Sequence, residues 1–171
     1  MNKKLLMCGA LLSLTTAGVA YAKTKTAPVR VVANLDLKQY AGKWYEIARF
    51  PNSFQSDCVG DVSANYAVRE DGKVDVVNSC GTKSGKTKTA KGEARRINSK
   101  SREGKLEVRF APKALSFLPA VWGDYYILDL DKSYTTSIVG SSGRSYLWIL
   151  SRTPQLDDAS EVLPLGMPIK G

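Results

Sequence analysis

Histidine is absent from the 171-residue sequence, and this absence excludes several kinds of active site. A Ser-His-Asp triad, a Cys-His pair and a His-ligated metal centre all require an imidazole. The three cysteines are too few for a four-cysteine zinc site. These counts exclude metal sites built on histidine or on four cysteines, and we expect neither a metal ion nor a cofactor.

Long apolar runs are also absent, since no segment reaches the roughly 18 residues that a membrane-spanning helix needs. A shorter apolar stretch, 5–19, follows two lysines and ends at 20–22, Ala-Tyr-Ala, which matches a signal-peptidase site. We predict that residues 1–22 are a signal peptide and that the protein is exported to the oxidising periplasm. Cys8 lies inside the stretch, too early for a lipoprotein cysteine, which argues against a lipid anchor. Association with the outer membrane stays an open alternative.

Strand-like segments dominate the rest of the chain. Residues 23–34 are polar and basic and predict a flexible leader, and 35–40 predict one short helical turn. The segments that follow have the spacing typical of all-β domains. Eight strands are predicted: Lys43–Phe50, Val59–Arg69, Lys73–Cys80, Lys86–Ile97, Lys105–Phe110, Trp122–Leu130, Tyr134–Val139 and Ser145–Ser151. Alternation alone does not separate a barrel from a sandwich, but an antiparallel up-and-down barrel leaves no exposed sheet edge and is favoured.

Three blocks of sequence carry a family resemblance. Residues 42–49 read Gly-Lys-Trp-Tyr-Glu-Ile-Ala-Arg, which matches the G-x-W-Y-E-x-A-R signature of lipocalins. Residues 123–134 and 146–154 resemble the second and third conserved blocks of the same family, in the same order. The resemblance covers 35–154 and is greatest to bacterial Blc-type lipocalins and their apolipoprotein D and temperature-induced relatives. It implies an eight-stranded calyx that binds fatty acids, phospholipids or similar apolar molecules.

The same resemblance assigns structural roles to three residues. Gly42 would let the chain bend tightly at the closed end of the barrel, and Trp44 would close that end with its ring. Arg152 would lie across Trp44 in a cation–π contact. We expect no ligand role for these residues.

Alternation along the strands suggests which side chains face a pocket. Trp44 and Glu46 share one face of the first strand, and a carboxylate pointing inward needs either a partner in the chain or the head group of a ligand. The last strand is apolar on both faces, so its inner face stays undecided. Nine residues are predicted to contact the ligand in the pocket or at its mouth: Glu46, Ala48, Phe50, Val62, Tyr66, Phe110, Phe117, Trp122 and Tyr126.

The connection 111–121 is unusually apolar for a loop. Solvated connections are normally polar, so its leucine, phenylalanine and valine side chains must cover or contact something. Two interpretations stay open: the loop caps the core of the barrel, or it serves ligand entry or membrane contact.

Cys58 and Cys80 form an even pair in an exported chain, which predicts a disulfide. A straight hairpin around the turn at 71–72 would place Cys80 opposite Ser63, five residues from Cys58. Because bridged Cα atoms lie within about 7 Å, the chain at 59–60 must fold back or a bulge must shift the register.

Basic residues are concentrated in 81–110, which contains ten lysines and arginines but three acidic residues. The simpler interpretation is a solvated outer wall of the barrel, and the alternative is peripheral contact with an anionic membrane surface. Nucleic acid is not an expected partner, because no aromatic residue falls between Lys83 and Arg109 to stack on bases.

The C-terminal segment departs from the family pattern. Lipocalins usually follow the third block with a helix against the barrel wall, but Pro164 and Gly166 would end such a helix after about one turn. We predict that this helix is reduced or absent and that 155–171 form a short irregular tail.

These features favour a binding protein that carries or stores fatty acids, lysophospholipids or phospholipids, and that is not an enzyme. Two alternatives remain. One is a lipocalin-like enzyme acting on a lipid, with Glu46 or a cysteine as its reactive group. The other is an interaction protein whose barrel is filled by its own side chains.

Overall fold

A computed structural model describes residues 27–156, which form an antiparallel barrel closed by pairing of the first strand with the last. The short helix α1 spans Leu37–Tyr40 and is capped by the Asp36 side chain, which accepts a hydrogen bond from the backbone N–H of Lys38 at 2.8 Å. The strands follow in chain order: β1 Gly42–Arg49, β2 Cys58–Val68, β3 Val74–Thr82, β4 Thr87–Arg96, β5 Lys105–Arg109, β6 Gly123–Leu130, β7 Thr136–Gly140 and β8 Leu147–Ser151. The prediction of eight sequential strands in a closed barrel is confirmed.

The two termini limit what can be compared with the sequence predictions. The proposed signal peptide 1–22 and the tail beyond residue 156 lie outside the described residues. Residues 27–34 of the leader predicted over 23–34 are described by the structure. The backbone N–H of Val32 donates to the Ile127 carbonyl at 3.0 Å, and the Val32 carbonyl accepts from the N–H of Gly104 at 2.8 Å. This segment therefore lies against the barrel wall.

The end of the barrel at which β1 begins is closed by an indole ring. Gly42 has φ of +94°, a conformation that a side chain would strain, and so it permits the bend into β1. Trp44 is fully buried, and its Nε1–H donates to the Tyr40 carbonyl at 2.8 Å. The Arg152 guanidinium lies 3.9 Å from the centre of the indole. We call this the closed end.

The core lies near the closed end and contains residues from all eight strands. Its buried members are Leu35, Tyr40, Trp44, Tyr66, Val74, Val76, Ala94, Leu106, Ile127, Val139 and Leu150. The other end of the barrel, here called the open end, carries the connections 50–57, 83–86, 110–122 and 141–146.

Bulges in β2 allow the two cysteines to meet. The pairing of Ser63 with Ser79 is one residue away from the straight register expected from the sequence, and the register shifts again on both sides of Gly60. These shifts bring the Cα atoms of Cys58 and Cys80 to 5.6 Å, and the two residues form a disulfide. The chain thus uses the bulge and not a reversal of the strand.

Candidate ligand-binding site

The barrel encloses a cavity of about 910 Å³ that reaches the open end. Small-molecule sites in proteins typically have volumes of about 300–1,000 Å³. Part of the space arises because small side chains face each other across three adjacent strands: Asn78 of β3 pairs with Ala64 of β2 and with Ala90 of β4. The interior is therefore hollow above the core.

The floor of the cavity is a group of tyrosines. The hydroxyl oxygen of Tyr125 lies 3.0 Å from that of Tyr40 and 2.9 Å from that of Tyr66, and Tyr40 also contacts the Ser137 hydroxyl at 3.3 Å. Burial raises the pKa of Tyr40 to about 12 and also raises the pKa values of Tyr66 and Tyr125. These phenols stay neutral at physiological pH and hydrogen-bond to one another, so the floor carries no charge.

Glu46 is held by polar partners from the chain. Its side chain is 7% exposed and forms an ion pair with Arg49. Its Oε2 atom accepts a hydrogen bond from Nε2 of Gln55 at 2.8 Å. Gln55 in turn accepts from Nε1 of Trp148 at 3.0 Å. Of the two roles open to an inward carboxylate, the structure therefore shows the one in which the chain supplies the partners.

Two residues that line the cavity, Asn78 and Arg109, each have a buried side-chain atom without a hydrogen-bond partner among the described residues, and Asn78 is the one that offers an acceptor. Its Oδ1 atom is buried and has no partner among the described residues, and its side chain lines the cavity. Because a buried carbonyl without a hydrogen bond is costly, this atom is a candidate contact for a donor on a ligand.

Four of the nine residues expected at the ligand line the cavity: Glu46, Val62, Tyr66 and Phe110. Ala48 and Phe50 lie outside the lining, because the pairing of β1 with β8 shifts between Glu46 and Ala48 and interrupts the alternation. Phe117 is also outside, at the surface of the open end, where the residue is 75% exposed.

Trp122 and Tyr126 face away from the cavity. The ring of Trp122 lies 4.0 Å from the guanidinium of Arg95, which points outward from β4, and its Nε1–H donates to the Ser116 carbonyl. Tyr125 pairs with the inward residue Leu106, so its neighbour Tyr126 points outward. Sequence alternation selected the wrong face of β6, because the register of this strand is set by its pairing with β5.

Several lining residues were missed from the sequence. On the undecided last strand, Trp148 and Leu150 line the cavity. Tyr125 also lines the cavity, and residue type alone could not distinguish it from the adjacent Tyr126. Lys88 also lines the cavity, and its Nζ atom lies 3.1 Å from Asp57. Lys88 contacts Asp57, and Trp148 contacts Gln55. Both partners lie in the β1–β2 connection, where strand alternation makes no prediction.

The basic segment 81–110 is partly neutralised within the fold. Its three acidic side chains form ion pairs: Glu93 with Arg109, Glu107 with Arg95, and Glu103 with Lys105. Burial opposes ionisation of Glu93, but Arg69 and Lys73 outweigh it and hold the pKa of this carboxyl below its ordinary value. Arg109 is 6% exposed on its side chain, so this residue does not contribute to a solvated wall.

The described residues offer no evident place for a metal ion. Within 27–156, no group of three or more cysteine, aspartate and glutamate side chains has the arrangement of a metal site. Over the same range, no helix is long and apolar enough to cross a membrane.

Comparisons with known proteins place the chain in a family. A model of the lipocalin-like domain matches residues 35–163. The chain is 40% identical over 136 residues to temperature-induced lipocalin-1 of Arabidopsis thaliana, covering 79% of this chain and 72% of that protein. It is 35% identical over 148 residues to the outer membrane lipoprotein Blc of Escherichia coli K12, covering 84% and 78%. It is also 35% identical over 149 residues to rat apolipoprotein D, covering 83% and 74%.

Solved structures agree on the fold. Insecticyanin of Manduca sexta superimposes with a TM-score of 0.60 at 20% sequence identity, covering 78% of this chain and 71% of that one. The G-x-W block, the closed eight-stranded barrel and these matches together show that the chain belongs to the lipocalin family.

Proposed function

We propose that this protein binds fatty acids, lysophospholipids or phospholipids in the barrel cavity and carries or stores them in the cell envelope. The observation that carries the proposal is the cavity of about 910 Å³ inside a closed barrel of the lipocalin family. Membership of this family supports binding of small hydrophobic ligands, and the relatives named apolipoprotein D and Blc lipoprotein favour lipids.

Most of the binding free energy of such a ligand would come from burial of the ligand's apolar part against the lining of the cavity. Each methylene that leaves water contributes about 0.8 kcal/mol. Tyrosine rings and aliphatic side chains surround the deep half of the cavity, whereas Lys88 and Asp57 lie at the open end. This arrangement favours an acyl chain that points toward the tyrosine floor and a polar head group near Lys88.

The cellular place follows from the sequence and the relatives. A signal peptide over 1–22 would export the chain, and the relatives named outer membrane lipoproteins belong to the envelope. We propose a periplasmic protein in peripheral contact with anionic membrane surfaces.

The two alternative functions receive less support. A filled barrel disagrees with the hollow interior. A lipid-modifying enzyme would use Glu46 or a cysteine. The Glu46 carboxylate is paired with Arg49 and hydrogen-bonded to Gln55, and Cys58 forms a disulfide with Cys80. We therefore propose a carrier without catalytic activity.

A substitution that fills the cavity tests the proposal. Ala90 faces the interior from β4, and Ala67 is exposed on the outer face of β2. We expect Ala90→Phe to weaken the binding of a fluorescent fatty acid by about tenfold or more, because the ring occupies space that the acyl chain needs. Ala67→Phe, the matched control, should bind like the unaltered protein.

Native mass spectrometry of protein purified from its own host is the second measurement. We expect a co-purified lipid, and its mass identifies the class. Protein that is empty and does not bind the fluorescent fatty acid would refute the carrier function and favour the interaction protein.

A further inference from the structure

We propose that the open end of the barrel is a docking surface for an anionic lipid bilayer, through which the cavity exchanges its ligand. The proposal rests on the proposed lipid-carrier function and adds the surface that contacts the membrane and the route by which the ligand enters and leaves. Two observations support it. The two ends of the barrel differ in the number of exposed apolar side chains and in the balance of basic and acidic residues.

Exposed apolar side chains are concentrated at the open end. Nine large hydrophobic residues of 27–156 are exposed. Seven of them lie in the connections of the open end, and an eighth, Val59, is the second residue of β2, next to such a connection. These eight residues, here called the rim, are Phe50, Phe54, Val59, Phe110, Leu115, Phe117, Leu118 and Tyr146. The ninth, Ile97, lies at the closed end. Exposed apolar clusters of this kind mark surfaces that contact another apolar phase.

Basic residues also outnumber acidic ones most clearly at the open end. The four connections of the open end contain Lys83, Lys86, Lys113 and Arg144, and their single acidic residue, Asp57, is paired with Lys88. The three connections of the closed end, 69–73, 97–104 and 131–135, together with 36–41 and Arg152, contain seven basic and five acidic residues, so positive charge there is more nearly balanced. Basic residues next to apolar ones match a bilayer with anionic head groups, where each lysine or arginine near the surface adds to the attraction.

Three residues of the rim line the cavity, so the rim is continuous with its mouth. Phe54 and Tyr146 come from different connections, their ring centres lie 5.6 Å apart, and both line the cavity. Phe110 lines it from a third connection. Apolar side chains arranged in this way can enter the interfacial region of a bilayer while the mouth stays open to the acyl chains. A ligand would then pass between bilayer and cavity without crossing water.

Flotation with vesicles tests the docking surface. The intact chain is mixed with phosphatidylcholine vesicles with and without phosphatidylglycerol, and every variant keeps the same N-terminus. We expect stronger binding to the vesicles that contain phosphatidylglycerol. Phe117→Asp and Lys113→Glu should each weaken that binding, the former by about tenfold or more, because an apolar ring that leaves water is replaced by a charge. Ile97→Asp is the matched control at the closed end and should leave binding unchanged.

Binding of a fluorescent fatty acid without vesicles separates the two proposals. Unchanged affinity in Phe117→Asp, together with lost vesicle binding, supports docking. Unaltered protein that binds the fatty acid but not the vesicles overturns docking and leaves the carrier function. Vesicle binding without fatty-acid binding supports docking and refutes the carrier. Sedimentation velocity measures the oligomeric state of the same proteins. If the unaltered protein is a dimer, and Phe117→Asp dissociates it without changing vesicle binding, docking is overturned and the rim is an interface between copies.

Discussion

Arg152 connects segments of the chain that are more than a hundred residues apart. Its guanidinium lies over the Trp44 ring and donates hydrogen bonds to the carbonyls of Lys43 at 2.8 Å, Gln39 at 2.9 Å and Tyr134 at 3.1 Å. The guanidinium spreads its donors over three nitrogen atoms, one for each of these carbonyls, whereas the three donors of an ammonium group radiate from a single nitrogen. The residue thus stabilises the closed end of the barrel.

We expect Arg152→Lys to lower the free energy of unfolding by about 2 kcal/mol, through lost hydrogen bonds and a weaker cation–π contact. Urea denaturation measures the change. Arg144, which donates a side-chain hydrogen bond to the carbonyl of Ala27, is the control, and Arg144→Lys should have a much smaller effect. Equal losses in the two variants would contradict the role given to Arg152.

The connection between β6 and β7 depends on one carboxylate. Asp131 accepts hydrogen bonds from the backbone N–H of Thr136 at 2.6 Å, of Thr135 at 2.7 Å and of Ser133 at 3.0 Å. Tyr134 in the same turn has φ of +57°, which is unfavourable without support. Burial opposes ionisation of Asp131, but these donors outweigh it and hold its pKa below the ordinary value.

A lowered pKa in the folded state means that the ionised carboxylate stabilises the fold. This contribution is fully present above the pKa of the unfolded chain, about 4, and is lost as the pH falls through the folded value. We expect Asp131→Asn to be less stable than the unaltered protein at pH 7 by about 1 kcal/mol, with a difference that narrows below pH 4. Urea denaturation over a pH series measures this, and a constant difference would contradict the assignment.

At the scale of the whole molecule, the barrel combines a packed closed end with a hollow open half. The buried core includes Trp44 and Ile127, and the space above it is wide because Ala64, Asn78 and Ala90 are small. A ligand that occupies this space adds contacts that the empty protein lacks. Binding to the folded state alone must therefore raise its stability.

We expect a fatty acid at about 100 times its Kd to stabilise the protein by about 2.7 kcal/mol and to raise Tm by roughly 10 °C. Differential scanning calorimetry measures the shift. Ala90→Phe should show a much smaller shift at the same ligand concentration, whereas Ala67→Phe should keep it. A shift of equal size in Ala90→Phe would place the ligand outside the cavity.

The nine residues expected at the ligand show where sequence reasoning was limited. Tyr66 was placed on the correct face because β2 keeps one register with β3 from Ser63 to Val68, and Val62, at the edge of the bulge, also lines the cavity. Ala48 was misplaced because a register shift follows Glu46. The choice of Tyr126 over Tyr125 failed because a shift of one residue exchanges the two faces of a strand. Bulges and strand register depend on the neighbouring strand, so they are not local properties of the sequence.

By itself, the sequence determined the all-β class, the number and order of strands, the lipocalin family and the need for either a fold-back or a bulge near Cys58, since turn residues, alternation and the three blocks are local patterns. Only the tertiary structure decided which faces point inward, that Glu46 is paired within the chain, and that exposed apolar side chains gather at one end. Those features arise when β1 pairs with β8 and the barrel closes, because closure brings together residues that are distant in sequence.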